Sequence, residues 1–136
     1  MTPPRIIYAV PQTLVALEAA YWLQKYLPYI IAYSQPPKTW DELQRDASYP
    51  KVGYDIHHPI EQTPARQDGF SSDEIEASEN RLLIPTLKHW QITAWYQTQN
   101  KDFGGLSPRD YLRGKSWDER MRIAKIALVR FGVLKP

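Results

Sequence analysis

Val52-Gly53-Tyr54-Asp55-Ile56-His57-His58 and Asn80-Arg81-Leu82-Leu83-Ile84-Pro85-Thr86 are the two stretches that decide the fold of this chain. From Val52 to His58 the chain reads as extended. Tyr54, Ile56 and His58 fall on one face and Asp55 and His57 on the other, because side chains alternate along a strand. Arg81 to Ile84 is short, apolar and stopped by Pro85, which predicts a second strand. Thr86 then caps a helix carrying Leu87, Trp90, Thr93 or Ala94, and Gln97, with His89 among them. Two short strands followed by a helix make a compact α+β unit over residues 52–97.

Working outward, the flanks read as helical. Thr13 caps a helix running to about Tyr33, broken or kinked at Pro28. Gln35-Pro36-Pro37 is a linker, and Thr39-x-x-Glu42 is a capping box for a short helix that ends before Tyr49-Pro50. Residues 62–69 read as a polar loop, and Ser71-x-x-Glu74 starts one or two helical turns. Asn100 to Gly105 is a turn region. Ser107-Pro108 opens a short helix that ends near Gly114. Ser116-x-x-Glu119 is a further capping box. It leads a helix with Trp117, Met121, Ala124, Leu128 and Phe131 on one stripe and Gly132 as C-cap. The predicted fold is therefore α+β and mostly helical. It is a single domain over 1–136, with a helical N-terminal extension (1–50), a hairpin-and-helix core (52–97) and basic C-terminal helices (105–136).

A length of 136 residues is one domain's worth and holds a hydrophobic core without staples. The absence of cysteine excludes disulfides and thiolate metal sites. Leu14 to Ile31 is apolar but interrupted by Glu18, Gln24, Lys25 and Pro28, which predicts a packed helix rather than a membrane span. Met1-Thr2-Pro3-Pro4-Arg5 leads to no apolar core with a small-residue cleavage site. The expected location is cytoplasmic, or one reached by a signal-peptide-independent secretion route.

Charge is unevenly divided. Residues 1–80 hold 6 Lys and Arg against 11 Asp and Glu, a net of −5. Residues 81–136 hold 11 against 4, a net of +7. A basic half beside a reactive site suits a polyanionic substrate; an ordinary solvated helix surface is the plainer account.

The three histidines, His57, His58 and His89, all fall in one window, with Asn80 between them. Imidazole both binds transition metals and takes a proton near neutral pH, so the window reads as a metal-assisted hydrolytic site. One histidine of the pair can ligate a cation while the other faces the substrate, and a docked helix can deliver His89. Two histidine ligands leave open positions for water and a phosphate oxygen. The Asn80 amide can bond a backbone group or the His58 ring.

The order His-His, Asn, His resembles the HNH nucleases, or ββα-metal nucleases, and among them the colicin-type, polymorphic-toxin-like branch. Asn80 and His89 stand nine positions apart, as in that branch, and Asn80 to Pro85 is similar to its segment of Asn, apolar strand and Pro. The resemblance covers about residues 52–97. It implies His57 and His89 as metal ligands, His58 as the general base that activates water, and Asn80 as the residue orienting His58. Where that branch carries a further histidine one turn on, this chain has Thr93, so the third ligand is water, Asp55 or Glu61, or is missing. A related form of the motif uses the Asn itself, so Asn80 is also a candidate ligand.

The implied activity is metal-dependent hydrolysis of phosphodiester bonds in nucleic acid, DNA ahead of RNA, with one divalent ion (Mg²⁺, Mn²⁺, Ni²⁺ or Zn²⁺). Arg81, Lys88, Arg109 and Arg113 are the candidate phosphate contacts. A toxin domain of this kind would travel with an acidic immunity protein as partner, and no membrane partner is expected. The alternative is a non-catalytic nucleic-acid-binding or phage-type assembly protein that works through its basic C-terminal helices.

Overall fold

A computed structural model describes residues 3–136, with side chains from Gln12 onward. The fold is α+β and mostly helical: α1 (Pro3–Tyr33), α2 (Trp40–Asp46), β1 (Tyr54–His57), α3 (Gln62–Gln67), α4 (Ser72–Ile75), β2 (Leu82–Pro85), α5 (Thr86–Gln97), α6 (Pro108–Tyr111) and α7 (Trp117–Arg130). β1 and β2 pair antiparallel, with Tyr54 opposite Pro85 and His57 opposite Leu82. Proline is tolerated in β2 because it stands at the strand's end, where no further ladder hydrogen bond is asked of it. The next bond is made instead by the Thr86 N–H, which donates to the Gly53 carbonyl at 2.9 Å.

β2 is buried along its whole length, and its Leu82 and Ile84 form the main core with Leu43, Ile92, Tyr96, Leu112, Ile123, Ala127 and Leu128. A smaller core of Ile60, Ala65 and Ile75 lies under Phe70, Trp117 and Met121. The chain between the strands is thus a folded excursion. The predicted polar loop at 62–69 is corrected: Gln62–Gln67 is helical. Pro64 lies in that helix's first turn, where its missing N–H costs nothing, and Ala65 is driven inward.

Local signals account for several helices. Thr39 with Glu42 and Ser71 with Glu74 form reciprocal capping boxes at α2 and α4. Ser107 caps α6, with Pro108 as its first residue. At α7 only half of the predicted box forms. Ser116 accepts from the Glu119 N–H, but the Glu119 carboxylate is taken by Arg122 and Tyr111.

Three further expectations are corrected. α1 starts at Pro3 rather than after Thr13, consistent with proline's preference for a first helical turn, and remains helical through Pro28. It is not packed along its length either. Among the residues with described side chains, Leu14, Leu17, Tyr21, Leu23 and Ile31 are exposed, and the helix rests on the body over its last turns, from about Pro28 to Ala32. Among the described residues no helix is long and apolar enough to cross a membrane. α5 is rotated relative to the expected stripe: Ile92 and Tyr96 face the core, while Trp90, Ala94 and Gln97 face out. The stripe of α7 likewise centres on Ile123, Ala124, Ala127 and Leu128, and Trp117 and Met121 serve the smaller core.

Candidate active site

β1 ends at His57, and the chain leaves the sheet at His58. Adjacent strand residues would point apart, but at the strand's end both imidazoles reach one cavity. This cavity, about 140 Å³, is lined by His57, His58, Glu61, Gln62, His89, Ile92, Thr93 and Tyr96. α5 contributes His89 and, one turn on, Thr93. The two strands and the helix therefore bring the three histidines together.

His57 is buried, and among the described residues its ring makes no hydrogen bond. Burial first, then the neighbouring His89 and His58, pulls it down to about 3, so it is neutral at pH 7 with a free lone pair. His89 Nδ1 lies 2.9 Å from Asp55 Oδ2. A carboxylate only accepts, so Nδ1 carries a proton directed at Asp55 and Nε2 is the ring nitrogen left for another partner. The hydroxyl of Thr86 donates to the other oxygen of Asp55 at 2.9 Å. Thr86 therefore does not cap α5, whose N-cap is Pro85 without a side-chain bond.

The His57 and His89 rings stand 5.2 Å apart between centroids, at 68°. That spacing suits an edge-to-face pair of rings. It also matches the separation of about 5.2 Å between centroids that one ion held tetrahedrally, roughly 2.1 Å from a nitrogen of each ring, would impose. The spacing is therefore compatible with a shared cation. Among the described residues no group of three or more His, Cys, Asp or Glu side chains is gathered to complete it.

The proposed third ligands are otherwise engaged. Asp55 is bonded to Thr86 and His89. Glu61 lines the cavity, but both of its oxygens are taken by Arg109, through Nε at 3.0 Å and through Nη2. Asn80 is corrected most fully, both as a ligand and as a direct partner of His58. It has no exposed surface. Its Oδ1 accepts from the Ile60 N–H at 2.8 Å, and its Nδ2 donates to the Ile60 and Ile75 carbonyls at 3.0 Å each. It ties the two ends of the excursion together and holds His58 only through the main chain two residues away.

His58 has partners the sequence reading did not name. Its Nε2 lies 3.3 Å from Glu76 Oε2 and 3.1 Å from the Gln62 amide nitrogen. Gln62 and Arg66 also donate to Glu76. Burial pushes the Glu76 carboxyl up, but Gln62, His58 and Arg66 together hold it below its ordinary value. Nε2 thus faces an acceptor in Glu76 and a donor in the Gln62 amide, and the two pull its tautomer in opposite directions. Glu76 carries no sequence signal, because its approach depends on how the whole excursion folds. Tyr96 was also missed. Its ring lines the cavity, its hydroxyl is buried without a partner, and burial with the Glu61 charge pushes its ionisation well up.

The four predicted phosphate contacts are not gathered at the cavity rim. Arg109 is held by Glu61, Lys88 lies 4.2 Å over the ring of Tyr33, and Arg113 pairs with Asp110 at 3.3 Å. Arg81 lines a separate cleft with Gln44, Ala47, Ser48, Pro50 and Ser78. Much of the basic charge of the C-terminal helices is likewise matched internally, with Arg120 buried against Asp68 and Arg122 on Glu119.

Compared with known proteins, the chain matches no family model, no curated protein and no solved structure.

Proposed function

We propose that this chain is a metal-dependent HNH-type endonuclease that hydrolyses phosphodiester bonds of nucleic acid, DNA ahead of RNA. One observation carries the reading. Two imidazoles, His57 and His89, stand at the spacing of co-ligands, with a third, His58, in the same cavity. His57 and His89 would hold a divalent ion, which would supply Lewis-acid stabilisation of charge on the phosphate.

The chain's own groups do the rest. His58 takes the proton of the attacking water, a contribution of about 10²–10⁴-fold. Glu76, with an oxygen 3.3 Å from the His58 ring, stabilises the imidazolium formed in that step. Asp55 fixes the tautomer of His89. Ile92 and Tyr96 give the cavity a dry wall, which strengthens each electrostatic contact within it.

The test is digestion of plasmid with Mg²⁺, Mn²⁺, Ni²⁺ or Zn²⁺ against an EDTA control. His58→Ala abolishes cleavage and retains metal binding, whereas His89→Ala weakens both. The absence of nicking with all four ions refutes the proposal.

A further inference from the structure

A second cavity, of about 480 Å³, adjoins the histidines on the other side of α5. Tyr26, Tyr29 and Ile30 of α1 form one wall and Leu87 and Trp90 of α5 the other, with Asp55 and Thr86 at its base. Trp90 is 63% exposed, although it lies within the helix and is, with Trp95, one of its two largest side chains. Asp55 belongs to both sites. Its carboxylate lines this cleft and also bonds the His89 ring. His89 and Trp90 are neighbours on a helix that turns 100° and rises 1.5 Å per residue, so the two sites flank one ridge. A strand laid across that ridge places a phosphate at the histidines and the adjoining nucleotide over Trp90.

We propose that the cleft between α1 and α5 binds an unstacked nucleobase, that of the nucleotide next to the phosphate held at the histidines. The proposal deepens the nuclease reading and rests on it for the position of that phosphate. The chemistry of the walls selects the occupant. Tyr26, Tyr29 and Trp90 offer aromatic faces, and every base has a π-face on which such side chains stack. The cleft's base is polar: each Asp55 oxygen already accepts one bond, from Thr86 or His89, and a carboxylate oxygen has a second lone pair suited to an exocyclic amino group. A cation stands beside one wall, where Lys25 Nζ is 5.7 Å from the Tyr26 ring centroid. Aromatic walls, a hydrogen-bond acceptor below and a lysine alongside match a base still attached to its phosphate chain better than they match a lipid tail or an aliphatic side chain.

The experiment measures binding in EDTA, where cleavage does not intrude. The probes are a fluorescently labelled oligodeoxycytidylate, whose bases carry an exocyclic amino group, and a strand of equal length and charge whose residues are abasic. The wild-type chain binds the base-bearing strand more tightly. Trp90→Ala loses about 5- to 100-fold on that strand and less than 2-fold on the abasic one, and Trp90→Phe restores most of the loss. Because Trp90 is exposed, Trp90→Ala keeps the wild-type unfolding midpoint. Equal affinity of the wild type for both strands overturns the proposal, as does an equal loss on both in Trp90→Ala. Sedimentation showing a wild-type dimer that Trp90→Ala splits also overturns it, since the cleft is then a contact between two copies. The two readings separate cleanly. Metal-dependent nicking without base-dependent binding removes the cleft and leaves the nuclease. Base-dependent binding with no nicking under any ion removes the nuclease and leaves the cleft.

Discussion

Replacing Asn80 by alanine tests whether this residue works on the main chain rather than on an imidazole. The amide is fully buried and makes three bonds, one from the Ile60 N–H and two to the carbonyls of Ile60 and Ile75. Truncation leaves one N–H and two carbonyls facing a small void. An unpaired buried group costs about 1–3 kcal/mol, and carbonyls, with two lone pairs each, fall at the low end of that range. The expected loss is therefore about 3–5 kcal/mol, a large share of the roughly 5–15 kcal/mol that holds a domain folded. Asn80→Asp keeps the acceptor for Ile60 but turns both donors into a buried charge facing two carbonyls. It should be at least as damaging at pH 8 and recover partly as acid protonates it. Urea unfolding followed by tryptophan fluorescence reads both variants, and amide exchange at Ile60 reads the local bond. An Asn80→Ala protein within 1 kcal/mol of wild type, or an Asn80→Asp protein as stable as wild type at pH 8, refutes the clamp.

Three other perturbations have defined outcomes. His57 sits at about 3 in the fold against 6.5 for an ordinary histidine. In EDTA its contribution is complete above pH 6.5 and is lost as pH falls toward 3, by about 2 kcal/mol at pH 5. His57→Gln should flatten that limb in an acid denaturation series, and an unchanged limb contradicts the buried neutral ring. Gly53 has a φ of +92°, and a Cβ there would stand 2.7 Å from the Pro28 carbonyl oxygen. Gly53→Ala should cost about 1–3 kcal/mol or more in thermal unfolding, and a neutral result denies the close approach of α1 to the turn. Arg120 is only 3% exposed and is paired with Asp68. Asp68→Ala leaves its charge buried without a counterion, an expected loss of about 3–5 kcal/mol in chemical denaturation, and a change under 1 kcal/mol counts against the pair.

What was legible in the sequence was local. The hairpin was readable because its strands are short, apolar on the buried side and ended by Pro85. α2 and α4 were readable because Thr39 with Glu42, and Ser71 with Glu74, are three residues apart. The gathering of His57, His58 and His89 followed from the hairpin-and-helix arrangement. The facing of α5 was not readable. Its inner stripe mixes Ile92 and Tyr96 with polar Thr86 and His89, while its outer face carries Trp90, so hydrophobicity alone points the helix the wrong way. The excursion was hidden for a different reason. Asn80, Glu76 and Gln62 find their partners across gaps that no periodicity marks. The charge asymmetry was visible but its use was not, since part of the basic half is paired with the acidic half, Arg109 with Glu61 and Arg120 with Asp68.

That internal pairing bears on how the chain reaches its fold. Asp55–His89, Glu61–Arg109 and Asp68–Arg120 join partners 34, 48 and 52 positions apart. Each ties an acidic residue of the first half to a cationic or protonatable one of the second. Closing loops of that length is slow when left to random search, and opposite net charges on the two halves shorten the search. Added salt shrinks the Debye length from about 30 Å at 0.01 M to about 8 Å at physiological strength. The collapse of this polypeptide is accordingly quicker in dilute buffer than in brine.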